Sequence, residues 1–276
     1  MTEEPADIDL EKSSQEDVGR PTPRSWRPAA LLIVVGVLML ALGGGYLYLR
    51  RAPPEPSAPA VAKPSDTRAG QQGEQIVLPP LDETDPLIRE LVGRLSSHPA
   101  VAAWLTTDGL ILNFVVVTAA IADGKIPRAE LKAVGPVPRF RIKESRDNLY
   151  VDPSSYRRYD RYAEAISALD ARGAARLYAT LKPRVGDAYR RLGSLGAEFD
   201  PVLERAIVEL LRVPVIEGDV ALEPKGIGYG FADARLEGMT AAQKQFLRMG
   251  PQNVRSVQGK LREIADYLGI PASRLQ

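Results

Sequence analysis

Three short strings in this 276-residue chain are the places to look for catalysis. His98, the only histidine, stands directly before a proline. With no cysteine and no second imidazole, a zinc site would need a carboxylate-rich ligand set, which is uncommon. A Ser-His-Asp triad needs only one histidine, but the chain holds no G-x-S-x-G elbow, and Ser96 and Ser97 sit in another context. The ordinary reading of His98 is a helix-terminal or partly buried side chain. Asp82, Glu83 and Asp85 cluster before a helical pattern. Two carboxylates can serve as acid and base, yet negative side chains beside a helix amino-terminus stabilise it in any case. Lys225-Gly226-Ile227-Gly228-Tyr229-Gly230 alternates glycines. A phosphate cradle would follow a strand and open a helix; this run lies between two expected strands, where glycine supplies turn geometry. No residue is nominated as catalytic or metal-binding, and no cofactor is expected.

Two further strings suit binding. Tyr156-Arg157-Arg158-Tyr159-Asp160-Arg161-Tyr162 interleaves cations with aromatics. On one helix Arg157, Arg158 and Arg161 would share a side while Tyr156 and Tyr159 turn elsewhere. That pattern fits an anionic partner, or more plainly a solvated arginine face with tyrosines against the core. In the string from Lys244 to Asn253, Lys244 and Arg248 stand at i,i+4 and Phe246, Leu247 and Met249 supply a buried side. Gly250 should end that helix and Asn253 cap the next, with Lys244 and Arg248 free for an acidic partner. Arg157, Arg158, Arg161, Lys244 and Arg248 are therefore the candidate partner-binding residues.

The elements that must position these strings follow from segment composition. The formal charge of +1 excludes a strongly basic nucleic-acid binder, and no nucleic-acid partner is expected. Zero cysteine excludes disulfides, thiolate catalysis and iron–sulfur clusters. The near-neutral balance is an average of unlike parts. Residues 1–19 hold seven carboxylates against Lys12, and a basic, proline-rich stretch follows, so 1–28 reads as a disordered acidic then basic tail. Residues 29–49 carry no charge, and 21 residues of helix reach about 31 Å, enough to cross a bilayer. Arg24, Trp26 and Arg27 flank one end and Arg50 and Arg51 the other, as membrane-flanking residues do. This span is the expected contact with the lipid bilayer, and an uncleaved anchor is favoured over a signal peptide because the apolar run continues through Tyr46–Leu49. Residues 50–75, with five prolines, form an extended linker.

Residues 76–276 make up the globular domain. Eight basic and ten acidic residues precede it, leaving 28 and 25 within it, a surplus of three. Asp85-Pro86, Asp152-Pro153 and Asp200-Pro201 each place an acceptor before a proline, the pattern of a helix start. Leu110–Ala122 is apolar all round and too short to span a bilayer, so it reads as the central core helix, with Asp108 as its cap. A short strand is expected over Arg139–Lys143. Helices are expected over 153–169, 171–181, 184–192, 201–211, 241–249 and 253–268, and a β-hairpin over 213–222 and 229–236. The fold class is mainly α: a single transmembrane helix, then a helical globular domain with a small β-hairpin.

Leu78-Pro79-Pro80-Leu81-Asp82 with Asp85-Pro86, the segment from Asp152 to Tyr162, and the Gln243–Asn253 string together resemble the "domain of unknown function 3014" family over roughly residues 77–268. The resemblance implies a bacterial envelope protein with one membrane span and a proline-rich spacer. It implies no activity and no site residue. The expectation is a bacterial inner-membrane, single-pass protein with its carboxyl-terminal domain in the periplasm. That domain would be a non-enzymatic interaction or scaffold module for an envelope protein or an anionic cell-wall component. The alternative is a carboxylate-dependent hydrolase acting on cell-wall material.

Overall fold

The computed structural model describes residues 76–275 apart from 94, 95, 128, 129, 131–138, 146, 195 and 227. The tail over 1–28, the span over 29–49 with Arg24, Trp26, Arg27, Arg50 and Arg51, and the linker over 50–75 lie outside these residues. Among the described residues no single helix is long and apolar enough to cross a membrane.

The first helices build the floor of the core. α1 (Asp85–Gly93) buries Ile88, Leu91 and Val92, and α2 (Pro99–Leu105) buries Val101 and Trp104. His98 caps α2, its Nδ1 accepting the Ala100 N–H at 3.1 Å. α3 (Leu110–Ala122) has no exposed residue, which fits its uniformly apolar sequence. Its cap differs from the expectation. Asp108 is 96% exposed at its side chain and pairs with Arg89. Asp85 instead accepts from the N–H groups of Gly109 (2.7 Å) and Leu110 (2.9 Å). Proximity in space, not in sequence, supplies the acceptor that the first turn of α3 lacks.

Four antiparallel strands follow the order β1-β2-β3-β4. β1 (Ile142–Ser145) pairs with β2 (Asn148–Val151), and β3 (Ala221–Lys225) with β4 (Gly228–Phe231). Leu149↔Leu222 and Tyr150↔Ala221 join the two hairpins into one sheet. The expected single hairpin is thus half of a larger element. Its first arm begins at Ala221 rather than Val213, and Leu236 belongs to a short helix, α8 (Ala234–Glu237), not to a strand. The first hairpin turns through Asp147, whose φ of +64° is one that aspartate tolerates better than most residues.

The segment expected as one helix from 153 to 169 is two, α4 (Ser154–Arg157) and α5 (Asp160–Ser167). The reverse holds next. α6 (Ala171–Arg191) runs unbroken through Pro183, although proline removes a backbone donor and crowds the preceding turn. Leu177, Tyr178, Leu181, Val185 and Ala188 form one buried face along α6, and burial of that face outweighs the local penalty. α7 (Asp200–Leu211) and α6 both pack on α3, and α10 (Pro251–Tyr267) closes the core over α5, α6 and α7. α9 (Ala241–Leu247) enters through a reciprocal cap: Thr240 Oγ1 accepts from Gln243 N–H, and Gln243 Oε1 accepts from Thr240 N–H.

Gly250, between α9 and α10, has φ +82° and ψ +165°. A Cβ there would lie 2.4 Å from Cγ of Tyr156, so glycine is required by both conformation and space. Asn253 does not cap α10. It lies inside the helix, buried, and its Nδ2 donates to Asp160 Oδ1 (2.9 Å), Met249 O (3.0 Å) and Tyr156 O (3.3 Å). These contacts lock the α9–α10 corner onto α4 and α5.

Candidate functional site

That lock brings the two basic strings of the sequence together. Tyr159, between α4 and α5, is fully buried, and its hydroxyl accepts from Gln245 Nε2 at 3.2 Å. Arg158 Nη2 lies 3.4 Å from the same oxygen. Arg158 is itself 8% exposed. Its Nε donates to Ser155 O at 2.8 Å, and its guanidinium stacks 5.5 Å from the Phe140 ring and 5.0 Å from the Tyr159 ring. Residue 158 falls at the break between α4 and α5, so Arg157, Arg158 and Arg161 do not share a face as one helix would have them. Arg157 and Arg161 are exposed. Arg161 stacks on Tyr162, its guanidinium carbon 4.5 Å from the ring centre, and bonds the Tyr162 hydroxyl.

The pairing expected of Lys244 and Arg248 also divides. Lys244 is spent inside the domain, its Nζ donating to the Glu237 carbonyl at 2.8 Å and to Glu237 Oε1 at 3.2 Å. Arg248, the carboxyl-terminal cap residue of α9, is half-buried with its guanidinium carbon 5.4 Å from the Phe231 ring centre. Among the described residues its side chain makes no hydrogen bond or ion pair. Burial pulls its pKa below the ordinary guanidinium range, Arg158 adds to that, and Tyr159 and Glu237 oppose it. Arg158 is pulled down by burial in the same way, and burial pushes the Tyr159 phenol up. Arginine remains charged despite such shifts; Arg158 offsets its burial with its bonds to Ser155 O and the Tyr159 hydroxyl, while Arg248 keeps an open side toward solvent.

Among the described residues one carboxylate, Glu237, lies within electrostatic reach of Arg248 and is already committed. Glu237 accepts from Lys225 Nζ (2.5 Å), the Phe231 N–H (3.0 Å) and Lys244 Nζ (3.2 Å). These bonds, that from Lys225 first, hold its carboxyl at about 2. The result is a patch rich in donors: two guanidiniums, the Gln245 amide and two ammonium groups around the Glu237 carboxylate, with Glu223 also within electrostatic reach of Lys225.

The acidic cluster before α1 is built differently. Asp82 makes a two-point ion pair with Arg191, at 2.5 and 3.0 Å, and Asp85 caps α3. Both are engaged in structural bonds, whereas glycoside hydrolysis needs two carboxylates free to face a substrate. His98 caps α2; Gly226, with φ +58°, turns between β3 and β4 as expected, whereas Gly228 and Gly230 lie within β4 itself.

Phe140, Phe231, Gln245 and Glu237 belong to the basic site and were not foreseen. Their only sequence signal was the position of Gln245 on the otherwise apolar side of α9, where a buried amide demands a partner.

The fold and site define a mainly helical domain with a four-stranded antiparallel sheet and a desolvated cationic patch where the two meet. By sequence the chain matches the family described as protein of unknown function (DUF3014) over residues 110–265, and it belongs to that family. The match takes in all five candidate partner-binding residues. No curated protein and no solved structure matches the chain.

Proposed function

We propose that this is a single-pass protein of the bacterial inner membrane whose domain faces the periplasm and acts as a non-enzymatic interaction module. The uncharged stretch over 29–49, its arginine and tryptophan flanks and the proline-rich linker support the anchored arrangement. The observation that carries the interaction role is Arg248, a half-buried cation with no acceptor among the described residues, beside Arg158 and within reach of no uncommitted carboxylate. Arg248 is half-buried and its unbonded nitrogens still meet solvent, so its charge is open to an acceptor from outside. The partner is an envelope protein or an anionic cell-wall component.

Two measurements test this. Protease added to spheroplasts should digest the domain from outside; protection would reverse the topology. A photo-crosslinker placed at the exposed Arg157 or Tyr229 in intact cells should recover a discrete partner, and recovery of none would count against an interaction module. The carboxylate-dependent hydrolase gains no support from the geometry, since two of the three carboxylates that suggested it, Asp82 and Asp85, are tied to Arg191 and to the first turn of α3.

A further inference from the structure

Resting on the interaction reading above, we infer that Arg248 and Arg158 form a receptor for a carboxylate group on the partner, presented by an acidic side chain or a chain terminus.

The donor inventory points this way. Arg158 and Gln245 both point donors at the Tyr159 oxygen, which leaves that hydroxyl's own hydrogen without a described acceptor. Arg248 adds a guanidinium whose only described contact is the face of Phe231. A guanidinium can only donate, so the complement of Arg248 is an acceptor. Solvent access selects which group meets it. Tyr159 is sealed and Arg158 nearly so, whereas Arg248 is half-buried and forms the open side. Arg158 and Gln245 therefore set the field and the position of the surrounding rings, and Arg248 makes the contact.

Geometry then selects the acceptor. A guanidinium offers two parallel N–H bonds that match the two oxygens of a carboxylate. One accessible fork leaves the additional oxygens of a phosphate without donors. Glu237 lies within electrostatic reach of Arg248 and partly offsets the local positive field. Glu237 does not fill the role itself, because turning toward Arg248 would break its bonds to Lys225, Lys244 and the Phe231 N–H. The planar Phe231 ring under Arg248 holds the fork flat without competing for its hydrogens.

The test uses the full chain in detergent micelles, with the arginine side-chain N–H resonances followed at fixed ionic strength. Three probes are titrated: N-acetylaspartate α-amide for a side-chain carboxylate, N-acetylglycine for a chain terminus, and inorganic phosphate, each against chloride. A saturable shift of the Arg248 signal with either carboxylate, at least five-fold tighter than with phosphate, supports the receptor, and the stronger of the two carboxylates identifies the source. Arg248→Gln should weaken that binding at least ten-fold, the usual loss for a charge-assisted bond. Arg248→Lys, which keeps the charge and loses the fork, should weaken it about five-fold and serves if the glutamine variant does not fold. Equal responses to chloride and carboxylate, tighter binding of phosphate, or binding unchanged in Arg248→Lys would each overturn the proposal. A failed titration with in-cell crosslinks intact removes the carboxylate receptor and leaves the interaction module. A successful titration without crosslinks does the reverse.

Discussion

Replacing Gly250 by alanine should destabilise the domain more than any surface change. Two costs combine. The backbone at φ +82° and ψ +165° lies in a region open essentially to glycine alone, which costs an alanine about 1–3 kcal/mol. The new Cβ would also fall 2.4 Å from Cγ and 2.7 Å from Cβ of Tyr156, and forced repacking costs about 1–3 kcal/mol more. Tyr156 cannot simply retreat, because its carbonyl is held by Asn253 and it packs against the core. The expected loss is about 3–4 kcal/mol. In urea, with a slope near 2 kcal/mol per molar, the midpoint should fall by about 1.5–2 M. Far-ultraviolet circular dichroism of the full chain would follow it, with fluorescence of the buried Trp104 as a local probe. Gly259→Ala is the matched control. It sits in the middle of α10 with nothing within 4 Å of an added Cβ, so alanine should stabilise by about 0.5–1 kcal/mol. If Gly250→Ala costs less than 1 kcal/mol, the α9–α10 corner is not held against Tyr156 as described.

Three other outcomes are expected. Asp85→Ala should cost about 1–3 kcal/mol by chemical denaturation, because it strips the acceptor from two N–H groups of α3, while Asp108→Ala should stay within about 0.5 kcal/mol. Gln258→Leu should cost about 2 kcal/mol, since Gln258 Nε2 donates to the carbonyls of Leu210, Leu211 and Val213 at the end of α7 and leucine leaves them buried without that donor. Glu237 has its carboxyl depressed from 4.5 to about 2, chiefly by Lys225 and then by the Phe231 N–H. A depressed acid stabilises fully above its unfolded pKa, so this contribution should fade as pH falls from about 4.5 toward 2. The shift corresponds to about 3 kcal/mol, reduced to about 1–2 kcal/mol because Lys225 is mostly in solvent. Glu237→Gln should flatten acid unfolding in that window, and an unchanged profile would show that the bonds of Glu237 to Lys225 and Lys244 contribute nothing.

Local pattern carried much of this protein. The bounds of α3 follow from an unbroken apolar run and the carboxyl end of α7 from the apolar periodicity before it, effects that act within a few residues. The turn around Gly226 likewise needs only its own backbone. Capping was harder to place. Asp152 accepts from Ser154 N–H within its own turn, as an Asp-Pro start suggests, but Asp85 caps another helix and Asp200 takes the Tyr178 hydroxyl and Lys182 instead. A carboxylate satisfies whichever donors reach it, and sequence distance does not rank those donors. Proline misled in the opposite sense at position 183, where a buried helix face outweighed one lost hydrogen bond.

By itself the sequence determined the mainly helical class and the family. Composition and periodicity express burial and charge one segment at a time, and those properties need no partner. It also picked out the arginines, but not their relation, because Arg158 and Arg248 are 90 positions apart and look alike as surface cations. Tertiary packing decided which cation would be spent and which left open. Lys244 found Glu237, Arg161 found Tyr162, and Arg248 was drawn against Phe231 with no acceptor described beside it. Desolvation is a property of the assembled surroundings, so a site defined by an unmet donor exists only once the sheet and helices have closed around it.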